Sequence, residues 1–223
     1  MADQEPDVGG SIGPADVLPL DRFNAFSDGV FAIAITLLVL ELTVPIGPER
    51  LLPALVEQWP EFLGYLISFA FIGGSWIGHA RMTKLLKHGD SIVFEINLVF
   101  LLFIAVLPFT TSLMVTHLSG PDVEVGVLIY GLNGLAASLM LTFLNRYLAR
   151  ERTLVRDEIA DEQLAALARQ RRIATALWLI AIASALFAPP VAVGLYVAAT
   201  ALMLAVPLLR LGRSRRRASS PKA

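Results

Sequence analysis

The chain has 223 residues, of which 56% are hydrophobic and only 17% are charged. A soluble domain carries about 25% charged residues, so this composition, with a mean hydropathy of +0.66, excludes an ordinary soluble protein and indicates an integral membrane protein. The absence of cysteine excludes disulfides and thiolate metal sites.

The two ends of the chain are polar and differ in charge. Residues 1–21 carry five acidic side chains and no basic one, and they lack the basic start and apolar middle of a signal peptide. We expect a disordered acidic cytoplasmic tail here. Residues 211–223 are rich in arginine and are interpreted as a basic cytoplasmic tail at the membrane surface. Nothing beyond these charges points to nucleic-acid binding.

Between the tails, residues 22–210 are predicted to form one all-α transmembrane domain of six helices, because a spanning helix needs about 20 apolar residues. Pro189 and Pro190 divide the last apolar stretch into a helical hairpin. The spans are predicted at about 25–44, 60–79, 92–116, 123–145, 173–188 and 189–209.

The distribution of Lys and Arg predicts how the helices are oriented. These residues concentrate in the 80–88 loop, the 146–172 connection and the C-terminal tail, whereas the opposite side has only Arg50. Positive loops face the cytoplasm, so both termini are predicted to be cytoplasmic in a multi-pass protein of the plasma membrane. The six helices show no internal repeat, which argues against a secondary transporter.

Polar residues of the first three spans fall at one depth near the cytoplasmic side. Asp28 begins the first span, His79 ends the second, and Asn97 lies about a turn into the third. Charge inside a membrane must find a partner, so we expect these residues, with Arg22, to form a buried network that fixes helix 1. The Trp76 indole is a further candidate for this network. A proton relay through Asp28 and His79 is the alternative, and the spacing does not fit a metal site.

A helical wheel divides the first span into two faces. Asp28 points away from the face that carries Ile33 and Leu40. From the residues alone, an apolar stripe of this kind is more typical of a lipid-facing or core surface than of a pore. The stripe comprises Phe26, Gly29, Ile33, Thr36, Leu37 and Leu40.

The motif Arg22-x-x-x-Phe26-Ser27-Asp28 at the start of a long apolar run resembles the first helix of the transmembrane protein 175 family. That family comprises potassium-permeable channels of endolysosomes and prokaryotes, and the resemblance covers residues 22–210. Other similarities to its prokaryotic branch are the six-span layout, the pair Trp76 and His79, and Leu-Pro-Phe-Thr at 107–110.

The resemblance implies a homotetramer in the lipid bilayer, with helix 1 of each subunit lining a central pore. It places an apolar constriction at Ile33, with further layers at Thr36, Leu37 and Leu40. It also implies that the motif residues Arg22, Phe26, Ser27 and Asp28 belong to the network that holds helix 1.

The function expected from this resemblance is a potassium-permeable cation channel whose only metal is the permeating K⁺. Glu41 is expected either to concentrate cations at the pore mouth or to pair with Arg50. A proton channel of the same fold is the alternative, and a small secondary transporter is a weaker one. No nucleophile–base pair suggests an enzyme, and no cofactor is expected.

Overall fold

The computed structural model describes residues 20–43 and 50–202. Within this part of the chain there is no β-strand, and one isolated antiparallel bridge joins Leu86 to Val155. The helices are α1 (Leu20–Leu37), extended by a 3₁₀ turn (Leu38–Glu41), α2 (Leu51–Glu57), α3 (Trp59–Thr83), α4 (Ser91–Thr116), α5 (Val123–Arg150), a 3₁₀ turn (Arg152–Leu154), α6 (Asp161–Ala185) and α7 (Pro189–Leu202).

Four of these helices are long and apolar enough to cross a membrane: α1 with its 3₁₀ extension, α3, α4 and α5. They correspond to the first four predicted spans, and they establish an all-α, multi-pass architecture. The short helix α2 was not predicted. Helix α6 begins at Asp161, twelve residues before the predicted fifth span. The acidic tail up to residue 19, the end of the predicted sixth span and the basic tail lie outside the described residues.

Local sequence signals explain where the central helices begin. Pro60 occupies the first turn of α3, where its missing N–H costs no hydrogen bond. The Asp90 side chain caps α4 by accepting from the backbone N–H of Val93 at 2.9 Å. The same carboxylate accepts from the Tyr147 hydroxyl at 2.5 Å, so this cap also ties α4 to α5.

Helix α4 lies at the centre of the bundle, where it packs against α1, α3 and α5, and α6 packs against α5. An aromatic cluster fills the core between α3, α5, α6 and α7. The Trp178 ring is fully buried, stacks on Tyr196 at 5.0 Å and meets the edge of Phe71 at 5.3 Å. Gly131 and Gly134 of α5 make this approach possible, since a Cβ on either would collide with Tyr196 or Trp178.

At one end of the bundle, the α3–α4 loop pairs with the α5–α6 connection. The backbone N–H of Lys87 donates to the Leu154 carbonyl at 2.8 Å, and that of Arg156 donates to the Leu85 carbonyl at 2.9 Å. The Lys87 ammonium also lies 3.3 Å from Asp157. These bonds satisfy backbone groups that the helix ends leave open, so both connections have a defined conformation.

Candidate functional site: the first helix and its polar network

Helix α1 buries one face against α3 and α4. Its buried positions follow the spacing of four or three residues that brings side chains onto one side of a helix. This face is apolar apart from one serine hydroxyl. It consists of Phe23, Ser27, Phe31, Ala34 and Leu38.

The opposite face of α1 has no packing partner among the residues that the structure describes. Ile33 is 62% exposed, Leu37 41% and Leu40 70%, and the other three residues of the predicted stripe are also exposed. Single apolar side chains on a surface need no explanation, but a contiguous stripe marks an interaction surface or a lipid contact. The stripe therefore lies on the surface of the protomer along the full length of α1.

Thr36 contributes a hydroxyl to this stripe. The hydroxyl donates to the carbonyls of Ala32 and Ile33, both at 2.9 Å. Because its hydrogen is directed at the helix backbone, the oxygen lone pairs are available to the outside. Glu41 lies in the 3₁₀ turn at the end of the stripe, and no ion pair joins it to Arg50 among the residues described.

A buried hydrogen-bonded chain connects α1, α3 and α4. The Asn97 amide nitrogen donates to the Ser27 hydroxyl at 3.1 Å, and Ser27 donates to the Phe23 carbonyl at 2.9 Å. The Asn97 carbonyl oxygen lies 2.8 Å from Nε2 of His79, so this ring nitrogen is the donor. All three side chains are less than 4% exposed, and each has a partner on another helix.

Aromatic rings enclose the His79 imidazole on several sides. Its centroid lies 5.8 Å from that of Phe23, 5.7 Å from Phe31 and 5.9 Å from Phe100, which stacks on it. These three phenylalanines were not predicted from the sequence as part of the site. A signal was available, because Phe23 and Phe31 lie four residues before and after Ser27 and therefore share its face.

The partner of Asp28 is Trp76, the further candidate for the network, and not His79 or Asn97. The Asp28 carboxylate accepts a hydrogen bond of 2.7 Å from the Trp76 indole nitrogen, in a solvent-accessible position. The two side chains line an open groove of about 350 Å³ between α1 and α3, whose walls include Phe31 and Ile72. Asp28 thus joins α1 to α3 at the edge of the exposed face.

Arg22 and Phe26 lie on the other side of α1. Both are exposed, and both line a second groove of about 330 Å³ between α1 and α4. Asn97 forms part of the floor of this groove. In a single protomer, Arg22 makes no hydrogen bond or ion pair with the polar network among the described residues.

The predicted polar layer is therefore present in two separate parts. Ser27, His79 and Asn97 form the buried chain, whereas Asp28 and Trp76 form an exposed pair beside it. Within the described part of the chain, no group of three or more His, Asp or Glu residues is positioned to hold a metal ion.

Comparison with known proteins shows which family contains this first helix and its polar network. Residues 22–108 match the family model described as endosomal/lysosomal potassium channel TMEM175. The match includes the exposed stripe and every residue of the polar network.

Relatives and solved structures extend the similarity over most of the chain. A potassium channel of Chamaesiphon minutus is 35% identical over 166 residues, which span 73% of this chain and 82% of the relative. The human endosomal/lysosomal proton channel TMEM175 is 30% identical over 112 residues, spanning 49% of this chain and 22% of the relative.

The crystal structure of a lysosomal potassium-selective channel TMEM175 homolog from Chamaesiphon minutus superimposes with a TM-score of 0.76 at 32% identity, covering 83% of this chain and 96% of that chain. These relatives are ion channels and not enzymes, as the sequence predicted. The chain belongs to the TMEM175 family of membrane ion channels.

Proposed function

We propose that the protein is a potassium-permeable cation channel of the plasma membrane, a homotetramer of six-helix subunits whose four α1 helices surround one pore. The observation that carries the proposal is the exposed stripe on α1, which is 62% exposed at Ile33 and 70% at Leu40. A helix that packs on two neighbours by one face and leaves the other face unpartnered is suited to line an axis between subunits.

The constriction is assigned to Ile33, with Thr36, Leu37 and Leu40 forming further layers. A ring of four isoleucine side chains excludes water when narrow, and conduction then requires the helices to move apart. An ion that passes such a ring loses part of its hydration shell, and K⁺ loses water more readily than Na⁺. The free lone pairs of the Thr36 hydroxyl replace one of the lost oxygens.

The topology of the subunit follows from charge. The loops at the α3–α4 end of the bundle carry the Lys and Arg residues, so that end faces the cytoplasm and both termini lie there. Helices α6 and α7 supply the fifth and sixth spans. Glu41, at the opposite end of the stripe, then lies at the outer mouth, where its carboxylate raises the local concentration of cations.

The polar network holds α1 in its position behind the pore. The buried bonds from Asn97 to Ser27 and His79 link α1 to α3 and α4, and the Asp28–Trp76 bond adds a second link to α3. Arg22 and Phe26, which are free on the protomer surface, join this network across the interface with a neighbouring subunit.

A proton channel of the same fold is the second candidate, and the human relative is named as a proton channel. His79 is the residue suited to carry protons. Against this role, its hydrogen-bonded chain ends at the Phe23 carbonyl and is enclosed by phenyl rings, so it does not reach the Ile33 stripe. A small secondary transporter is weaker still, because the sequence has no internal repeat.

Recording from the purified protein in planar bilayers, with opposed potassium and sodium gradients, tests the proposal. We expect a reversal potential that follows the potassium gradient, and Ile33→Asn should increase the leak and reduce the potassium-over-sodium preference. The matched control is Ile180→Asn, since Ile180 is 56% exposed but lies on α6, away from the proposed axis.

Three outcomes would contradict the proposal in different ways. A reversal potential that follows only the pH gradient would show that the permeant ion is the proton and not potassium. Equal effects of the two isoleucine substitutions would reject Ile33 as the constriction. Flux that saturates and is coupled to a second ion would indicate a transporter.

A further inference from the structure

Two arginine side chains, Arg81 of α3 and Arg171 of α6, line the same small cavity. The cavity has a volume of about 30 Å³, roughly twice the 15 Å³ that a single water requires. Small residues also line the cavity, among them Gly78 on α3 and Ala174 on α6. It lies on the side of α3 that faces α6, and no residue of the α1 stripe lines it.

Arg171 is the most unusual side chain of this cavity. It is only 8% exposed, yet neither Arg171 nor Arg81 makes a hydrogen bond or an ion pair with the residues that the structure describes. By contrast, Arg156 bonds the Leu86 carbonyl although it is exposed. Arg152 bonds the Ile159 carbonyl and pairs with Asp161 through Nη2, while its Nη1 has no partner among the described residues. Burying a charge without a partner costs free energy, and an anion in the cavity would lower that cost.

The guanidinium of Arg171 lies directly against Gly78, where the absence of a side chain leaves space for it. A Cβ built at Gly78 would collide with the Arg171 guanidinium. Helix α3 therefore holds the guanidinium against its own backbone, beside a second cation, where two like charges repel each other. One anion between them would remove the repulsion and supply the missing acceptors at the same time.

We infer that the Arg81–Arg171 cavity binds one phosphate group, whose oxygens accept hydrogen bonds from both guanidinium groups. A guanidinium donates two parallel hydrogen bonds to phosphate oxygens, and Gln170, which also lines the cavity, adds an amide donor. The volume of about 30 Å³ admits one or two oxygens of a phosphate group and leaves the rest of the ligand outside.

The position of the cavity favours a phospholipid as the source of the phosphate. Arg81 lies in the last turn of α3, and Arg171 precedes the apolar run that begins at Ile173. With α6 as the fifth span, as proposed above, both lie at the level where a helix leaves the hydrocarbon layer. Basic pockets between helices on the cytoplasmic side are sites for anionic lipid headgroups. The proposed lipid site does not depend on ion conduction. Failure of its test would therefore leave the proposed channel function unaffected, and the reverse is also true.

The test compares the thermal stability of the full chain in two kinds of lipid nanodisc, one of phosphatidylcholine and one containing phosphatidylglycerol. Phosphatidylglycerol should raise the Tm of the natural chain by about 2–5 °C. Arg171→Met should abolish this increase. In pure phosphatidylcholine the same variant should be at least as stable as the natural chain, because it removes an unpaired buried charge.

Further variants separate binding from packing. Arg81→Gln and Gly78→Ala should each reduce the number of phosphatidylglycerol molecules retained per protomer in native mass spectrometry. The matched control is Arg172→Gln, since Arg172 is exposed beside Arg171 and should keep both the lipid and the Tm increase. The apparent affinity for phosphatidylglycerol should fall about tenfold in Arg81→Gln, the typical effect of losing a hydrogen bond to a charged group.

Inorganic phosphate added to phosphatidylcholine nanodiscs distinguishes a phospholipid headgroup from free phosphate as the source of the bound phosphate group. A Tm increase that phosphate alone reproduces, and that Arg171→Met abolishes, would support a soluble phosphate ligand at the same site. An equal Tm increase in the natural chain and in Arg171→Met would overturn the proposal. Destabilisation of Arg171→Met by the same amount in both lipids would also overturn it, because Arg171 would then act only through packing.

Discussion

At Asn97, one amide group satisfies partners on two other helices. Its nitrogen donates to Ser27 of α1 at 3.1 Å, and its oxygen accepts from His79 of α3 at 2.8 Å. Both bonds are buried, so loss of either partner would leave a polar group without its hydrogen bond. The orientation of the amide is therefore fixed by its two neighbours. We therefore expect Asn97 to help hold α1 in its position relative to α3 and α4.

A double-mutant cycle measures the Ser27–Asn97 link. Ser27→Ala, Asn97→Ala and the double variant should give a coupling energy of about 0.6–1.7 kcal/mol, the range found for hydrogen bonds between membrane helices. The measurement is the free energy of unfolding of each variant in mixed micelles.

The control cycle pairs Ser27→Ala with Thr110→Val. Thr110 is also buried on α4, but its hydroxyl bonds only the Leu107 carbonyl of its own helix, at 3.0 Å. Distant sites add without coupling, so this cycle should give a value near zero. Coupling of equal size in both cycles would show that the Ser27–Asn97 bond does not hold α1.

At the scale of elements, helices α1 and α5 show two different uses of a membrane helix. Helix α1 buries one face and exposes the other, whereas α5 is packed by α4 and α6 and meets aromatic rings at its glycines. Close approach through small residues is the usual way in which membrane helices gain contact. The α4–α5–α6 unit is thus the more closely packed part of the subunit, and α1 packs against α3 and α4 and is linked to them by the polar network.

Gly134→Ala tests this close packing. The added methyl would overlap the Trp178 indole, and overpacking a core costs about 1–3 kcal/mol. We expect a lower Tm for Gly134→Ala in detergent. Gly194→Ala is the control, because a Cβ at Gly194 meets nothing within 4 Å. Alanine there should stabilise the protein by about 0.4–1 kcal/mol, and equal shifts in the two variants would reject the packing argument.

At the scale of the whole molecule, the protomer carries an apolar surface on the helix that begins its membrane domain. Phe26, Ile33 and Leu40 are all more than half exposed, and two grooves flank them. In the proposed tetramer these stripes face one another, and the grooves receive the neighbouring subunits. The protomer is then an incomplete unit, because its pore exists only between copies.

Cross-linking tests this assembly directly, since the chain has no native cysteine. Leu40→Cys should give disulfide-linked dimers upon oxidation in membranes, because four copies near one axis bring the Cβ atoms within the roughly 3.5–4.5 Å that a disulfide needs. Non-reducing gel electrophoresis detects the product. Ile180→Cys, on the outer surface of α6, should remain monomeric, and dimers from Ile180→Cys alone would contradict the proposed arrangement.

Some features of this protein follow from the sequence because they depend on local periodicity and hydropathy. The long apolar runs predicted a membrane protein and the positions of α3, α4 and α5. The motif from Arg22 to Asp28 predicted the family, which the relatives confirmed. The 3.6-residue period placed Ile33 and Leu40 on one face of α1, and the structure leaves that face exposed.

Other features were decided only by tertiary structure, because they depend on which helix lies beside which. Depth in the membrane brought Asp28, His79 and Asn97 to one level, but only the rotation of the packed helices directs Asp28 to Trp76 and Ser27 to Asn97. The sequence likewise gives no sign that Arg171 lies against Gly78, since the two are 93 residues apart in the chain. Periodicity fixes the direction of a side chain relative to its own helix, whereas its partner is fixed by how the helices pack.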